Sequence, residues 1–358
     1  MRVVLAGGGT AGHIEPALAL ADALRHLDRS VGITCMGTDR GMESRLVPAR
    51  GYELELVPAV PLPRAITPSL LTVPGRLAGA INAAVGILDR VRADVLVGFG
   101  GYVATPAYLA AKRRGVPIVV HEANPRPGLA NRLGARLTDH VFSGFPGPVL
   151  PKAEYIGTPL RRDIVTLDRL SMGDKARSWF GLENDRPTLL VFGGSQGARS
   201  INDAAIAAAP ALRQAGVQVL HVVGPKNTVE QEPPPGDPQY VLLPYVDRMD
   251  LAYAAADLAL CRGGALTCAE LTAVGLPAAY VPLPNGTGEQ RVNADRIVAG
   301  GGGLVVDDAE LSAEWIIRYV LPILRDPERV AVMSEAASRL GRKDADIMLA
   351  RKVLEIAR

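Results

Sequence analysis

The sequence predicts an α/β protein made of two Rossmann-like domains, each built around a parallel β-sheet. The chain of 358 residues is long enough for two domains of ordinary size. Short apolar runs rich in valine alternate with helical patterns along it, which is typical of βαβ units. The order strand, glycine loop, helix also occurs twice, at residues 2–13 and 189–199. Two such domains facing each other would leave a cleft between them.

In the first half, five apolar runs are predicted to be strands. They are expected at residues 3–6, 31–36, 95–97, 118–121 and 141–143. A helix is expected at residues 16–27 with Pro16 in its first position, because proline loses no hydrogen bond there. The first strand leads straight into a glycine loop, so the sequence does not predict a signal peptide.

A second series of elements follows a polar segment at residues 157–174, where we expect the domain boundary. Its strands are expected at residues 188–192, 217–222, 240–243, 258–261, 278–281 and 303–306. Helices are expected from about Ser200, after Asp326 with Pro327 in the first position, and from about Asp344. The longest uncharged stretch, residues 271–288, contains three prolines, so it is not expected to span a membrane.

The composition excludes several classes of protein. Apolar residues make up 48% and charged residues 21% of the chain, which is typical of a folded protein. The net charge of +2 and the aromatic content of 4% argue against a nucleic-acid partner. The three cysteines form no CxxC pair, so neither a disulfide framework nor a structural zinc site is expected, and a reducing cytoplasm fits.

The first glycine loop places Gly7, Gly9 and Gly12 in a GxGxxG pattern between a strand and a helix. Such a loop lets the backbone and the helix N-terminal amides approach an anion. One interpretation is a dinucleotide site, for which Asp39 would be the ribose-binding acid. The other is a tight turn that serves only strand–helix packing.

His13 lies where this loop becomes the helix. The helix dipole disfavours a positive charge at that end, so we expect the His13 pKa to be lowered. A neutral imidazole in a cleft is a candidate general base. The alternative is a histidine that only hydrogen-bonds the loop.

Three further segments in the second half contain polar groups at strand ends. Residues 193–197 form a second glycine loop with the same phosphate-binding logic. Glu270 follows a third glycine turn, where a carboxylate can accept both hydroxyls of a ribose or simply lie favourably near a helix start. The amides and carboxylates of residues 285–294 suit sugar hydroxyls, or form a polar loop without a ligand. No metal-ligand spacing appears, so no metal is expected.

Seven sequence blocks occur in one order between residues 7 and 294: GGGTAGH, GFGGYVATP, HEANPRPG, GTPLR, GGSQGAR, CRGGALTCAE and GEQRVNA. In content and order they resemble the MurG family, the lipid-linked N-acetylglucosaminyltransferases of bacterial peptidoglycan synthesis. The resemblance implies the GT-B fold, with two Rossmann-like parallel-sheet domains facing across a cleft. It places an acceptor and membrane-facing domain at residues 1–160, completed by a C-terminal helix at 344–358, and a donor domain at 161–343.

The resemblance also implies a reaction. N-acetylglucosamine would move from UDP-N-acetylglucosamine, with inversion, to the muramoyl 4-hydroxyl of lipid I, giving lipid II. No cofactor is implied. The protein would be peripheral on the cytoplasmic face of the plasma membrane, with the inner leaflet and possibly other cell-wall synthesis enzymes as partners.

Site residues are carried over from the matching motifs. By resemblance, His13 is the catalytic base and Glu122 the alternative. Donor contacts are implied for Thr10, Ala11, Gly12, Asn124, Arg161, Ser195, Gln196, Val246, Ala265, Leu266, Thr267, Glu270, Glu289, Gln290 and Asn293. Acceptor contacts are implied for Gly8, Gly9 and Tyr102, and the first glycine loop would hold the lipid diphosphate.

A membrane-facing segment is expected within residues 66–91, where basic residues border apolar ones. Leu70, Leu71 and Val73, ahead of a helix, with Arg76, are the candidates for membrane contact. The remaining apolar residues are better explained by packing against the core as an ordinary helix face: Leu77, Ile81, Val85 and Leu88.

Three other functions remain open on the sequence alone. A UDP-sugar 2-epimerase on the same fold would turn over the donor without a lipid acceptor. A non-catalytic binding module would bind lipid diphosphate or nucleotide without turnover. A Rossmann oxidoreductase would retain nicotinamide or flavin, but it would leave the second glycine loop and the CRGGALTCAE segment without a role.

Overall fold

A computed structural model describes residues 1–39, 41–60, 72–227, 236–284 and 288–358. Contacts between Cα atoms divide the chain into two compact units. The first unit is Met1–Arg162 together with Asp344–Arg358, and the second is Asp163–Lys343. Each unit contains one parallel sheet with helices packed against it.

The first unit has seven parallel strands in the order β3-β2-β1-β4-β5-β6-β7. The strands are β1 Arg2–Gly7, β2 Gly32–Gly37, β3 Glu53–Leu56, β4 Val95–Gly100, β5 Ile118–Glu122, β6 Val141–Ser143 and β7 Glu154–Tyr155. The helices are α1 Ala11–Leu27, α2 Glu43–Ala49, α3 Val73–Val91, α4 Ala104–Arg114, α5 Leu129–Gly134 and the C-terminal α15 Ala345–Ile356.

The second unit has six parallel strands in the order β10-β9-β8-β11-β12-β13. The strands are β8 Thr188–Phe192, β9 Gln218–Val222, β10 Tyr240–Leu243, β11 Leu258–Cys261, β12 Ala278–Tyr280 and β13 Gly303–Val305. The helices are α6 Arg162–Val165, which begins at the unit boundary, α7 Arg169–Trp179, α8 Arg199–Gln214, α9 Met249–Ala255, α10 Ala265–Val274, α11 Glu289–Ala299, α12 Ala313–Trp315, a π-helical turn Ile316–Val320, α13 Leu321–Leu324 and α14 Pro327–Ser338.

The first sheet is covered on both faces, which explains the near-continuous apolar sequence of its central strands. Successive side chains of β1 point to opposite faces. Leu5 belongs to the core cluster formed with α1 and α15, whereas Val4 belongs to the cluster formed with α3 and α4. The two-fold side-chain period of the strand therefore supplies both cores.

The predicted strands of both halves are confirmed to within a few residues, but two strands were missed. β3 has the sequence ELEL and lies at the edge of the sheet, and β7 at the other edge is only two residues long. Edge strands are short or charged because this discourages pairing with other chains. Such strands therefore lack the apolar run by which the others were identified.

The prediction that Pro16 begins the first helix is wrong. The helix begins at Ala11, and Pro16 is a buried residue inside it. Proline has no N–H to donate to the carbonyl four residues earlier, so the helix lacks one bond near its start. The glycine-rich residues before Pro16 concealed the first turn.

The C-terminal helix α15 packs against α1 in the first unit. Leu349, Ala350 and Val353 are fully buried there among residues from the N-terminal strands. The predicted cap at Asp326 is confirmed, because its side chain accepts from the Arg329 N–H at 3.0 Å. The chain thus leaves the second unit through α14 and completes the core of the first.

The expected inward face of the helix at 73–91 is confirmed. Val85 and Leu88 are buried in the core cluster, and Leu77 and Ile81 are partly buried against it. Val73 is the first residue of α3 rather than a residue ahead of it, and it packs against the same cluster. Leu70 and Leu71 lie outside the described residues.

No helix in the described part of the chain is both long enough and apolar enough to cross a membrane.

The buried face of α15 leads to a stability prediction. Leu349→Ala removes a side chain that is 0% exposed, and we expect it to lower the free energy of unfolding by about 2–5 kcal/mol. Urea unfolding followed by circular dichroism measures this change. As a matched control, Arg351→Ala on the exposed face of the same helix should change stability by less than about 0.5 kcal/mol. A loss below about 1 kcal/mol for Leu349→Ala would contradict the packing described here.

Candidate functional site

The glycine and polar loops noted in the sequence lie at one edge of each sheet. In the first unit they follow β1, β4 and β5, which are neighbours in the strand order. In the second unit they follow β8, β11 and β12, which are also neighbours. The carboxyl ends of parallel strands meet at the same edge, and open α/β sheets bind their ligands there.

The first glycine loop packs backbone against backbone on the loop that follows β4. A Cβ atom at Gly101 would lie 2.4 Å from the Gly8 carbonyl oxygen, so only glycine fits there. Gly9 has a φ of 91°, a conformation that glycine adopts freely. Its N–H donates to Oε2 of Glu43 at 3.0 Å. The Gly9 amide therefore already has an anionic partner, and the first-turn amides of α1 remain as donors for a ligand.

His13 is the third residue of α1, and Thr10 is the N-cap residue, followed by Ala11 and Gly12. The Oγ1 of Thr10 lies 3.4 Å from Nδ1 of His13. A Cβ atom at Gly100 would lie 3.3 Å from Nε2 of His13, so the ring lies against the end of β4. The imidazole is thus placed beside the carboxyl ends of β1 and β4.

The pKa of His13 is lowered, as the sequence predicted. Burial of the ring is the largest effect and lowers the pKa. The negative charges of Glu122 and Glu43 and a hydrogen bond to the Gly8 backbone act in the opposite direction without overcoming it. Burial therefore favours the neutral form of this imidazole.

Glu122, the alternative base, lies at the end of β5 with 3% of its surface exposed. Its Oε1 accepts from the N–H and the Nδ2 of Asn124, at 2.9 and 3.1 Å. Its Oε2 accepts from the Gly128 N–H at 3.1 Å and from Asn131 Nδ2 at 3.0 Å. With donors on both oxygens, Glu122 holds the loop after β5 and orients Asn124.

The residues that hold Glu122 were not predicted. Asn131 accepts from the Tyr108 hydroxyl at 2.8 Å and donates to the His121 carbonyl at 3.1 Å. A Cβ atom at Gly98 would lie 2.1 Å from the Tyr108 hydroxyl oxygen. A glycine inside a strand is a signal of close approach, and here it makes room for this tyrosine.

Three further residues of the first unit are less enclosed. The Tyr102 side chain, after β4, is 53% exposed. Arg161 is partly buried and precedes the last residue of the N-terminal segment of the unit. Arg76 is exposed near the start of α3 and donates to the Ala59 carbonyl at 3.0 Å.

The second glycine loop, after β8, packs closely against the segment that follows β9. A Cβ atom at Gly197 would lie 2.0 Å from the Val223 carbonyl oxygen. Asn227 Nδ2 donates to the carbonyls of Gln196 and Val223 at 2.8 and 2.9 Å. The Gln196 side chain is exposed and that of Ser195 is partly buried. The loop leads into α8, whose first amides have no intrahelical acceptor and suit an anion.

A buried chain of hydrogen bonds supports this loop, and it was not predicted. Tyr240 Oη lies 2.9 Å from His221 Nδ1, and His221 Nε2 lies 3.0 Å from Asn202 Oδ1. Asn202 Nδ2 donates to the Val223 carbonyl at 3.0 Å. Because Asn202 Oδ1 can only accept, Nε2 of His221 carries the proton and Nδ1 accepts from Tyr240. Burial lowers the pKa of His221 to about 4.

Arg262 joins three elements of the second unit. It forms an ion pair with Asp308 and donates to Ser200 Oγ at 3.1 Å and to the Val281 carbonyl at 3.1 Å. Ser200 in turn donates to Asp308 at 2.6 Å. The network links the end of β11 to the start of α8 and to the segment after β12. Its partners lie 19 to 108 residues apart in the chain, so local spacing could not reveal it.

The third glycine turn precedes α10. The first turn of this helix contains Ala265, Leu266 and Thr267, all partly buried. Glu270 is buried on the next turn and accepts from the Tyr253 hydroxyl at 2.7 Å. Val246 is buried in the segment after β10.

The start of α11 is tied to the turn before α10. Asn293 Nδ2 donates to the Gly263 carbonyl at 3.1 Å, and Gln290 Oε1 accepts from the Leu283 N–H at 3.0 Å. Glu289 is the first residue of α11 and is partly buried. Two of these predicted sugar-reading groups thus already make intramolecular bonds that shape the loop. Residues 285–287 lie outside the described residues.

Both units match models of one protein family. Residues 3–143 match the glycosyltransferase family 28 N-terminal domain, and residues 188–348 match the glycosyltransferase family 28 C-terminal domain.

Relatives are similar over the full length. A UDP-N-acetylglucosamine--N-acetylmuramyl-(pentapeptide) pyrophosphoryl-undecaprenol N-acetylglucosamine transferase of Thermobifida fusca is 66% identical, covering 100% of this chain and 95% of its own length. A protein of the same name from Streptomyces avermitilis is 64% identical, covering 99% and 98%.

Two solved structures are informative. Acinetobacter baumannii MurG is 25% identical with a TM-score of 0.76, covering 99% of both chains. A UDP-GlcNAc 2-epimerase from Neisseria meningitidis, 15% identical with a TM-score of 0.66 over 99% of this chain and 100% of its own, shares the fold.

The buried His221 leads to a pH prediction. Its ordinary pKa of 6.5 is lowered to about 4 in the folded protein, so the unfolded chain binds a proton that the native state excludes. The effect of His221 on the free energy of unfolding is therefore absent above pH 6.5. Below pH 6.5 it lowers the free energy of unfolding as the pH drops, and the decrease stops near pH 4.

Between pH 7 and pH 5 we expect His221 to account for a loss of about 2 kcal/mol in the free energy of unfolding. Urea unfolding at several pH values, for the wild type and for His221→Gln, measures it. The variant cannot titrate at this position, so its pH dependence should be shallower by that amount. Equal slopes in the two proteins would contradict the predicted contribution.

Proposed function

Because the chain belongs to glycosyltransferase family 28, we propose that it transfers N-acetylglucosamine from UDP-N-acetylglucosamine to undecaprenyl-pyrophosphoryl-N-acetylmuramyl-pentapeptide, lipid I. The protein is an N-acetylglucosaminyltransferase of the MurG type, with the GT-B fold and a role in peptidoglycan synthesis. We further propose that the acceptor group is the muramoyl 4-hydroxyl, that the transfer inverts the anomeric carbon, and that the product is lipid II.

The observation that supports this reaction best is the pair of anion-binding loops. Each unit presents a glycine turn and the start of a long helix, α1 or α8, at the carboxyl edge of its sheet. Both substrates carry a diphosphate, one in UDP and one in the lipid. Helix N-termini bind such groups through backbone amides without needing a large positive side-chain charge. The net charge of only +2 agrees with this.

His13 acts as the general base in this proposal. The acceptor hydroxyl gives its proton to the neutral imidazole as its oxygen bonds to the anomeric carbon. The bond from that carbon to the donor phosphate oxygen breaks, and UDP leaves with the electron pair. The lowered His13 pKa suits a general base, because a protonated ring could not accept the proton from the acceptor hydroxyl. Amides at the start of α8 would stabilise the charge that develops on UDP.

The second unit would bind most of the donor. Ser195 and Gln196 are proposed to meet the diphosphate, and Glu270, held by Tyr253, to accept the ribose hydroxyls. The remaining donor contacts proposed in this unit are Val246, Ala265, Leu266, Thr267, Glu289, Gln290 and Asn293.

The first unit would bind the acceptor and complete the donor site. Tyr102 and the Gly8–Gly9 turn are proposed on the acceptor side, and Glu122 is proposed to hold Asn124. The donor contacts proposed in this unit are Thr10, Ala11, Gly12, Asn124 and Arg161.

A lipid-borne acceptor requires the enzyme to reach a membrane. We propose a peripheral protein on the cytoplasmic face of the plasma membrane, in contact with the inner leaflet and with other cell-wall synthesis enzymes. Arg76 is exposed at the start of α3 and suits anionic headgroups. Val73 packs partly against the core, so Leu70 and Leu71 remain the stronger apolar candidates from the sequence.

The function is tested by release of UDP from UDP-N-acetylglucosamine with and without a lipid I analogue. We expect release only when the acceptor is present, together with a disaccharide product seen by mass spectrometry. Release without acceptor, accompanied by epimerised sugar, would indicate a 2-epimerase instead. Donor binding with no turnover in either case would indicate a binding module.

The role of His13 is tested by His13→Ala. Loss of a general base should lower kcat by about 10²- to 10⁴-fold, while the affinity for UDP-N-acetylglucosamine changes little. Steady-state kinetics and calorimetric donor binding separate the two quantities. His26→Ala, on the exposed last turn of the same helix, is the matched control and should retain full activity. An unchanged kcat in His13→Ala would remove this residue as the base.

A further inference from the structure

Glu43 is a buried carboxylate that the sequence analysis did not single out. It is the first residue of α2, and none of its surface is exposed to solvent. Its Oε2 accepts from the Gly9 N–H at 3.0 Å. Its Oε1 accepts from the N–H and the hydroxyl of Thr38, both at 2.8 Å. The side chain therefore joins the first glycine loop, after β1, to the segment that follows β2.

The surrounding backbone is shaped around this side chain. A Cβ atom at Gly8 would lie 2.8 Å from Glu43 Oε1, and one at Gly37 would lie 2.5 Å from Glu43 Cγ. Neither glycine has a positive φ, so backbone conformation does not require glycine at these positions. Glycine is needed at these positions because a Cβ atom would occupy space that the Glu43 side chain fills. One glycine of the first loop, Gly8, thus makes room for an internal carboxylate.

The carboxylate is anionic in the folded protein. Burial acts to raise its pKa, but hydrogen bonds from Gly9 and Thr38 outweigh burial and hold the pKa below its ordinary value. A fixed negative charge therefore lies against the Gly9 amide, in the place where the glycine-loop pattern would lead one to expect a phosphate oxygen.

Resting on the function proposed above, we propose that Glu43 is a positioning residue for the transfer reaction. Its carboxylate holds the Gly8–Gly9 turn, and that turn leads directly into the helix start that carries His13. Because the Gly9 N–H is committed to Glu43, the acceptor contact proposed for the Gly8–Gly9 turn uses its other atoms. Glu43 itself touches neither substrate.

Two charged groups act on His13 from neighbouring elements. Glu122 lies at the end of β5 and Glu43 at the start of α2, and both raise the His13 pKa against the effect of burial. Thr10, Gly100 and the Gly8 backbone, which also lie close to the ring, carry no charge. Removing the charge of Glu43 should therefore lower the His13 pKa further.

Glu43→Gln tests the proposal, because glutamine keeps the size of the side chain but turns one acceptor into a donor and removes the charge. We expect kcat for the lipid acceptor to fall by about 10- to 100-fold through misplacement of the loop, with donor affinity retained. The acidic limb of the kcat/KM profile should move to lower pH, since a base of lower pKa stays neutral in more acidic solution. Glu53→Gln, exposed on β3, is the control and should match the wild type.

Glu43→Asp separates position from charge and retains the buried anion, so it remains informative if Glu43→Gln does not fold. The shorter side chain should lower kcat while leaving the acidic limb in place. Wild-type kcat in this variant, or wild-type kcat in a folded Glu43→Gln, would overturn the proposal. A lower kcat in Glu43→Gln with an unmoved acidic limb would also overturn it.

A second measurement does not depend on turnover and so distinguishes failure of this inference from failure of the proposed function. NMR of the free protein should show the Gly9 amide proton shifted downfield in the wild type and moved upfield in Glu43→Gln, with the His13 ring titrating at lower pH in the variant. An unchanged Gly9 resonance and an unchanged His13 titration would overturn the inference even if transferase activity is confirmed. If the wild type shows no acceptor-dependent UDP release, the proposed function fails, whatever these spectra show.

Discussion

The candidate site residues of this protein lie on loops and at helix starts that follow the strand ends, and a loop keeps its shape only when its buried backbone groups find hydrogen-bond partners. The parallel sheets are rigid because helices cover both of their faces, but their strands end in glycine turns that pair with no neighbouring strand. Buried side chains supply the missing partners. In the first unit Glu122 accepts four hydrogen bonds around the loop after β5, and Glu43 accepts three between the loops after β1 and β2. Both carboxylates are also near enough to His13 to act on its pKa.

The two units hold their glycine loops with different kinds of side chain. In the first unit the anchors are carboxylates, so negative charge lies near His13, the proposed base, and acts to raise its pKa against burial. In the second unit, within the described residues, the glycine loop is held by neutral groups, the amides of Asn202 and Asn227 with His221 behind them. A neutral anchor leaves the positive end of α8 available for the diphosphate of a nucleotide. In the first loop, by contrast, the Gly9 N–H donates to an internal anion, the Glu43 carboxylate.

Much of the fold could be predicted because its signals are local. Central strands are continuous apolar runs, and the strand–loop–helix order appears twice within short windows. The failures have physical causes as well. β3 and β7 are edge strands without an apolar run, and the first helix begins five residues before Pro16 because a glycine-rich segment forms its first turn. The lowering of the His13 pKa was predicted from the helix dipole, and nothing in the sequence indicated the large effect of burial.

The sequence by itself determined the two parallel-sheet halves, the glycine loops at their strand ends and the family to which the chain belongs. These depend on periodicity and on ordered motifs, which a single chain displays directly. Only the tertiary structure decided which side chains hold those loops. Gly9 meets Glu43 across 34 residues and Arg262 meets Asp308 across 46, and no local spacing encodes such contacts. The tertiary structure also explains why particular glycines are needed. A Cβ atom at Gly8 would clash with the Glu43 carboxylate, and one at Gly101 would clash with the Gly8 carbonyl.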